Sequence, residues 1–183
     1  MTVSALTILQ LDERWARYAT YSGLTEAIRL RFTDAGGTLR ELFSRIAFNI
    51  CVGNIDDHTR NHAAFSDGRA ERLTLTSAYD VCPQQRSTGE ASQAMAYGPD
   101  GERRSGLAPL VDAAHLYLLD RVEAEEIVER VVAEIRAGWS DAADRARLTQ
   151  ADRNLLWESQ ILNPSIFYAG ELQNHRSTTP VLR

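Results

Sequence analysis

The chain has 183 residues, enough for one domain with a sizeable core, and its composition is that of an ordinary globular protein. Its net charge of -5 and isoelectric point near 5.4 argue against direct nucleic-acid binding, which needs a basic surface. No run of about 18 apolar residues occurs and the N-terminus lacks a basic leader, so we expect a cytoplasmic protein without membrane contact.

Arginine supplies every basic side chain, since the 20 Lys and Arg positions include no lysine. Chemistry that needs an amine, such as a Schiff base or a lysine that grips phosphate, is therefore excluded for this chain. Cys51 and Cys82 lie in apolar stretches without metal-ligand spacing, which predicts two buried free thiols.

The N-terminal third is predicted to be helical. Residues 4–32 carry helical periodicity with short breaks, and Ser4 is placed to cap the first turn. The sequence DAGG at 34–37 predicts a break, and a central buried helix is expected to begin at Thr38, with Glu41 completing a capping box. Gly53 is expected to end that helix.

The rest of the chain is predicted to contain one β-hairpin followed by helices. Residues 63–66 and 72–80 have strand character around the turn signal Asp67-Gly68. Residues 82–106 have no apolar period and predict a long mobile loop, and three or four helices follow from Leu107. The fold class is therefore a mainly α domain over residues 1–172, with residues 173–183 as a flexible tail.

The segment GNIDDHTRNHA, residues 53–63, concentrates polar side chains between the central helix and the hairpin. Asp56 and Asn61 are five residues apart, the spacing of the catalytic loop of protein kinases. There a carboxylate accepts the proton of the substrate hydroxyl, and an amide oxygen holds magnesium without added charge repulsion. Asp80, beyond the hairpin, is placed to be the second magnesium ligand.

These residues resemble the HipA-like serine/threonine kinases, the toxins of bacterial toxin–antitoxin pairs. The family signature is a G-x-x-D-x-H-x-K-N loop, a hairpin and a Tyr-Asp pair. Gly53, Asp56, His58, Asn61 and Tyr79-Asp80 match it, and Arg60 stands where lysine is usual. The resemblance implies that Asp56 is the catalytic aspartate, that His58 holds the catalytic loop through hydrogen bonds, and that Asn61 and Asp80 bind Mg2+ with ATP. Asp57 falls on a variable position and receives no role, and His62 is interpreted as a bystander.

The resemblance covers the C-terminal kinase lobe of a protein-kinase-like fold. It implies Mg-ATP-dependent phosphoryl transfer to a protein serine or threonine, with a DNA-binding antitoxin and an N-terminal lobe as partners. The sequence has no glycine-rich phosphate loop and no lysine, so an alternative is an inactive lobe that binds other proteins. A second alternative is a metal site built from His58, His62 and Asp56 or Asp57.

Overall fold

The computed structural model describes residues 1–66, 68, 72–84 and 91–168. Within them the chain forms mainly helices and one small antiparallel sheet, as the sequence predicts. The α-helices are α1 (Ala5–Ile8), α2 (Tyr21–Arg31), α3 (Ala35–Val52), α4 (Leu107–Asp112), α5 (Arg121–Arg145), α6 (Gln150–Leu156) and α7 (Ser165–Tyr168). Short 3-10 helices cover Glu13–Tyr18, Thr59–Asn61, Pro99–Gly101 and Ala114–Tyr117, and the strands are β1 (Thr2–Ser4), β2 (Ala63–Ser66) and β3 (Leu73–Leu75).

Helix α3 is the centre of the core, and it begins earlier than predicted. Asp34 caps it by accepting the Gly37 N–H at 2.9 Å, so the glycines form its first turn instead of a break. The predicted capping box of Thr38 and Glu41 is therefore wrong: Glu41 instead forms an ion pair with Arg45 one turn on, at 2.8 Å. Seven apolar residues of α3 are fully buried, and the helix packs against α2 and α5. These are Leu39, Leu42, Phe43, Ile46, Ala47, Ile50 and Cys51.

The predicted hairpin is confirmed by β2 and β3, which pair antiparallel. Asp67 of its turn lies outside the described residues, and Gly68 has the left-handed φ of 72°. Strand β1 adds a third strand beside β2, with Ser4 opposite Ala63. Ser4 caps α1 as predicted, but the strand before it was not predicted, because its hydrogen-bond partners lie some sixty residues further along the chain.

The described residues 91–106 do not form the predicted mobile loop. Met95, Ala96 and Tyr97 are buried. The Tyr97 carbonyl accepts a hydrogen bond from the Tyr117 hydroxyl at 2.8 Å. The Ala94 N–H donates to the carbonyl of Ile55 at 2.9 Å. This segment therefore belongs to the core and supports the polar loop from one side; residues 85–90 of the predicted loop lie outside the described part.

The C-terminal helices close the other side of the core through Ile127, Val131 and Val132 of α5. Cys51 is buried as predicted, whereas the prediction for Cys82 is wrong, since this side chain is exposed. The predicted tail, residues 173–183, lies outside the described residues. Among the helices described here, none is long and apolar enough to cross a membrane.

Candidate active site

The polar loop begins where α3 ends. Gly53 follows Val52 with φ 74°, a left-handed conformation that glycine adopts without steric cost, and it ends the helix as predicted. The next amide, of Asn54, donates to the Asn49 carbonyl at 2.9 Å, and the Asn54 side chain donates to the Asn49 side-chain oxygen at 3.1 Å. The chain is therefore held against the last turn of α3 before it reaches the predicted catalytic residues.

Neighbouring side chains of the loop have opposite environments. Asp56 and Arg60 are exposed, whereas Asp57, Asn61 and His62 are buried, at 3%, 6% and 3% exposure. Charged and amide groups are rarely buried without partners, because removing them from water costs several kcal/mol. The buried side chains of the loop are therefore expected to make the hydrogen bonds that hold it in place.

Asp57 is the centre of those hydrogen bonds. One of its carboxylate oxygens accepts three hydrogen bonds. The donors are the Tyr21 hydroxyl, the Asn49 side-chain amide at 2.6 Å and the Nε2–H of His62 at 3.0 Å. The Tyr21 and His62 rings also meet edge to face, with centroids 5.4 Å apart. Asp57 thus connects α2, α3 and the end of the loop. Asp57 and His62, to which the family signature assigns no role, therefore hold the loop in place.

The charges in this cluster shift two pKa values. Burial raises the pKa of Asp57, but the hydrogen bond and positive charge of His62 and the hydrogen bond from Tyr21 outweigh it, so the pKa lies below its ordinary value. Burial and the Asp57 charge raise the pKa of Tyr21 well above its usual range. Asp57 is therefore an ionised acceptor and Tyr21 a neutral donor at neutral pH.

Asn49 was the sequence signal for this cluster. It is the polar residue within an otherwise apolar stretch of α3, and it is 4% exposed. A buried amide requires partners. The sequence does not reveal that these partners are Asp57 and Asn54, because the fold alone brings them to that face.

Of the predicted catalytic and magnesium-binding residues, Asp56 and Asp80 are exposed, whereas Asn61 is buried. The Asn61 side-chain N–H is 3.5 Å from the Asp56 carbonyl, so the structure brings these two residues together. The Tyr79 hydroxyl donates to the Arg60 carbonyl at 2.5 Å, which holds the segment containing Asp80 against the loop. Asp80 itself has a left-handed φ of 56°.

The structure describes no hydrogen bond or ion pair for the side chains of Asp56 and Asp80 within the ranges given above. Both are exposed. Because its N–H group points to the Asp56 carbonyl, the Asn61 side chain keeps its oxygen for other partners. Amide and carboxylate oxygens are hard ligands. Magnesium usually binds one or two such protein groups together with the phosphates of its substrate. Asn61 and Asp80 therefore carry oxygen groups of the type that could hold magnesium.

His58 does not hold the loop in the predicted way. Its carbonyl accepts the Asn61 N–H at 2.8 Å, but its ring Nδ1 is buried with no hydrogen-bond partner among the described residues. Asp57 and Tyr79 make the hydrogen bonds expected of His58. The alternative metal site gains no support either: the His62 Nε2 is engaged by Asp57, and no group of three or more His, Cys, Asp or Glu residues converges in the described part of the chain.

Comparison with known proteins places this geometry in a family. No curated protein matches the sequence significantly. A solved structure of the HipA toxin from Shewanella oneidensis MR-1, determined in complex with HipB and operator DNA, superposes with a TM-score of 0.74 at 15% identity. The match covers 98% of this chain but only 46% of that chain, so this chain spans about half the length of that HipA. The sequence pattern of the HipA-like C-terminal domain matches residues 1–139, and the chain belongs to this family.

Proposed function

We propose that this chain is the C-terminal catalytic lobe of a HipA-type serine/threonine kinase, which transfers the γ-phosphoryl group of Mg-ATP to a protein hydroxyl. Bound Mg-ATP would supply the electrophilic phosphoryl group. Asp56 is exposed and unpaired within the described residues, so its carboxylate is free to accept the hydroxyl proton of a substrate. Asn61 and Asp80 would hold the metal by their oxygens.

One observation carries the proposal: the hydrogen bond from the Tyr79 hydroxyl to the Arg60 carbonyl, at 2.5 Å. It connects the segment of Asp80 to the loop of Asp56 and Asn61 across the whole hairpin. Phosphoryl transfer depends on placing metal ligands and a proton acceptor together, since little covalent chemistry is left to the protein. A direct bond between these two segments supports such a role.

The biological role we propose is that of a toxin restrained by a DNA-binding antitoxin in the bacterial cytoplasm. The Shewanella HipA was solved with HipB and operator DNA, which supports a partner of this kind. Because this chain spans 46% of that HipA and contains no lysine, the phosphate-gripping groups of the complete enzyme would come from an N-terminal lobe.

Calorimetric titration of the chain with Mg-ATP tests the nucleotide site. We expect saturable, magnesium-dependent binding that Asn61→Ala and Asp80→Asn abolish. Asp100→Asn is the matched control, because Asp100 is also an exposed aspartate with a left-handed φ, of 54°, but lies in the 3-10 helix Pro99–Gly101, away from the polar loop. Equal loss in the control would contradict a site at Asp80.

A transfer assay with the lobe joined to a HipA-type N-terminal lobe tests the chemistry. Asp56→Ala is expected to abolish phosphate transfer and to leave folding intact, because no hydrogen bond of its side chain is described. Full activity in that variant would refute the assignment.

The second candidate is an inactive lobe that binds other proteins. The absence of lysine from the sequence favours it, since no residue of this chain can take the place of a phosphate-gripping lysine. The calorimetric titration separates the two candidates. Stoichiometric Mg-ATP binding contradicts a purely binding role, and its absence from the lobe joined to a HipA-type N-terminal lobe contradicts the kinase lobe.

A further inference from the structure

A cavity of about 270 Å³ lies between α3 and α5 and is bounded on one side by Ala78, Tyr79 and Val81. It adjoins the candidate active site through Asn61 and Tyr79, but Asp56, His58 and Asp80 do not line it. Its volume is just below the range of about 300–1,000 Å³ of pockets for drug-sized ligands. The cavity is therefore of a size to accept a single long side chain.

Its rim carries apolar surface that nothing in the described structure covers. Phe48 of α3, Tyr79 and Val81 line the cavity and are 40%, 42% and 37% exposed. Phe48 is the exposed large apolar residue of a helix that otherwise buries its large apolar side chains. Exposed apolar side chains that converge on one cavity are typical of binding sites, whereas single exposed apolar residues are common on protein surfaces.

The charges of the cavity are unbalanced. Arg45 is neutralised by Glu41 at 2.8 Å, and its guanidinium also donates to the Thr76 carbonyl at 2.5 Å. Glu134 of α5 also lines the cavity, and it has no ion pair or hydrogen bond within the described residues. Asp57 on the floor is already engaged by His62 at 3.0 Å, so Glu134 is the carboxylate of the lining without a partner among the described residues. The lining therefore carries an excess of negative charge.

His62 also lies on the floor of the cavity. It is 3% exposed, and its Nδ1 has no hydrogen-bond partner in the described part of the chain. The Nη1 of Arg45 is a buried donor without a partner in the described residues, but the charge of Arg45 is already balanced by Glu41.

We propose that this cavity binds the basic side chain, arginine or lysine, of a partner polypeptide. The aliphatic stem would pack on Phe48 and Val81, as such stems do on apolar surface. The cationic head would lie near the Tyr79 and Phe48 rings and the Glu134 carboxylate, where ring and ionic attraction act together. A partner seated there would extend beside the candidate catalytic loop. The inference does not depend on that loop being catalytic.

A titration of amide chemical shifts with two matched peptides tests the proposal on the whole chain. The probes are acetyl-Ala-Arg-Ala-amide and the same peptide with citrulline, which keeps the shape of arginine but lacks its charge. We expect the arginine peptide to bind saturably at roughly millimolar concentrations, with shifts centred on Phe48, Tyr79 and Glu134. The citrulline peptide is expected to bind at least about fivefold more weakly at low ionic strength.

Variants locate the binding. Glu134→Gln and Phe48→Ala are each expected to weaken the binding of the arginine peptide about three- to fivefold. Glu126→Gln is the matched control, because Glu126 is exposed on the same helix but does not line the cavity. Equal binding of the two peptides, or equal weakening by Glu126→Gln and Glu134→Gln, would overturn the proposal. So would shifts that centre elsewhere on the surface.

Discussion

Asp56 and Asp57 are neighbours in the chain, yet they face opposite environments. Asp57 is 3% exposed and accepts hydrogen bonds from Tyr21, Asn49 and His62. Asp56 is exposed, and its carboxylate has no partner within the described residues. A carboxylate saturated with internal donors is poorly suited to accept a proton from a substrate, because those donors stabilise its charge. The same residue type therefore serves to hold the loop at one position and is free for chemistry at the next.

The comparison extends to the two faces of the loop. On the buried face, side chains from α2, α3 and the loop share one carboxylate. On the exposed face, the main connection uses a backbone carbonyl, that of Arg60, and the Asp56 and Asp80 carboxylates have no partner among the residues that the structure describes. Rigid support beneath an exposed set of polar groups is the arrangement that pre-organised sites require. Substitutions on the two faces are therefore expected to affect different properties.

The largest effect is expected for Asp57→Ala. Removing the carboxylate leaves the Tyr21 hydroxyl, the Asn49 amide and the His62 Nε2 buried without their acceptor. Loss of one partner from a buried charged cluster costs about 3–5 kcal/mol of unfolding free energy. Urea denaturation measures it, with Asp56→Ala as the adjacent control, for which a change within about 0.5 kcal/mol is expected. Similar losses in both variants would remove the distinction between the two aspartates.

A smaller loss is expected for Tyr21→Phe. The ring stays in place, but the hydroxyl that donates to Asp57 is gone, and a hydrogen bond to a charged group is worth about 1.5–3 kcal/mol. The same denaturation experiment measures it. In the double variant with Asp57→Ala the losses should not add, since both remove the same bond. Additive losses would show that Tyr21 stabilises the fold independently of Asp57.

The decrease of the unfolding free energy at acidic pH is expected to depend on Asp57. Because hydrogen bonds lower its pKa in the folded state, it contributes stability that is present above its unfolded pKa of about 3.9. That contribution is lost as the pH falls through the lower, folded pKa. The difference in unfolding free energy between the wild type and Asp57→Asn should therefore shrink below about pH 4. Urea midpoints measured from neutral pH downward test this, and a difference independent of pH would contradict it.

The polar loop was predictable from the sequence, because its signals are local. Gly53 ends α3, the hairpin separates the loop from Tyr79 and Asp80, and these positions follow from spacing and turn chemistry over short distances. Strand β1 and the buried residues 91–106 were not predictable in this way. Their partners lie far away in sequence, so periodicity within a window carries no information about them.

The roles of Asp57 and His62 were missed for the same reason. Tyr21, their partner, is 36 residues before Asp57, and only the packing of α2 beside α3 brings its hydroxyl to the loop. The family signature also leaves the position of Asp57 open, which suggested that it had no role. A buried cluster of hydrogen bonds can occupy a position that a catalytic signature does not constrain.

The smallest effect is expected for Glu13→Ala, which removes the ion pair between Glu13 and Arg60 on the exposed face. The two side chains are 77% and 51% exposed, and exposed pairs of this kind contribute less than about 1 kcal/mol. We expect a loss below about 0.5 kcal/mol in urea denaturation, and one that high salt diminishes. Tyr79→Phe is the comparison on the same face, because it removes the hydrogen bond to the Arg60 carbonyl and should cost about 0.5–1.5 kcal/mol. A larger loss of unfolding free energy for Glu13→Ala than for Tyr79→Phe would mean that the side chain of Arg60, and not its backbone, holds the exposed face. The hydrogen bond of Tyr79 could then no longer be the connection to the segment of Asp80.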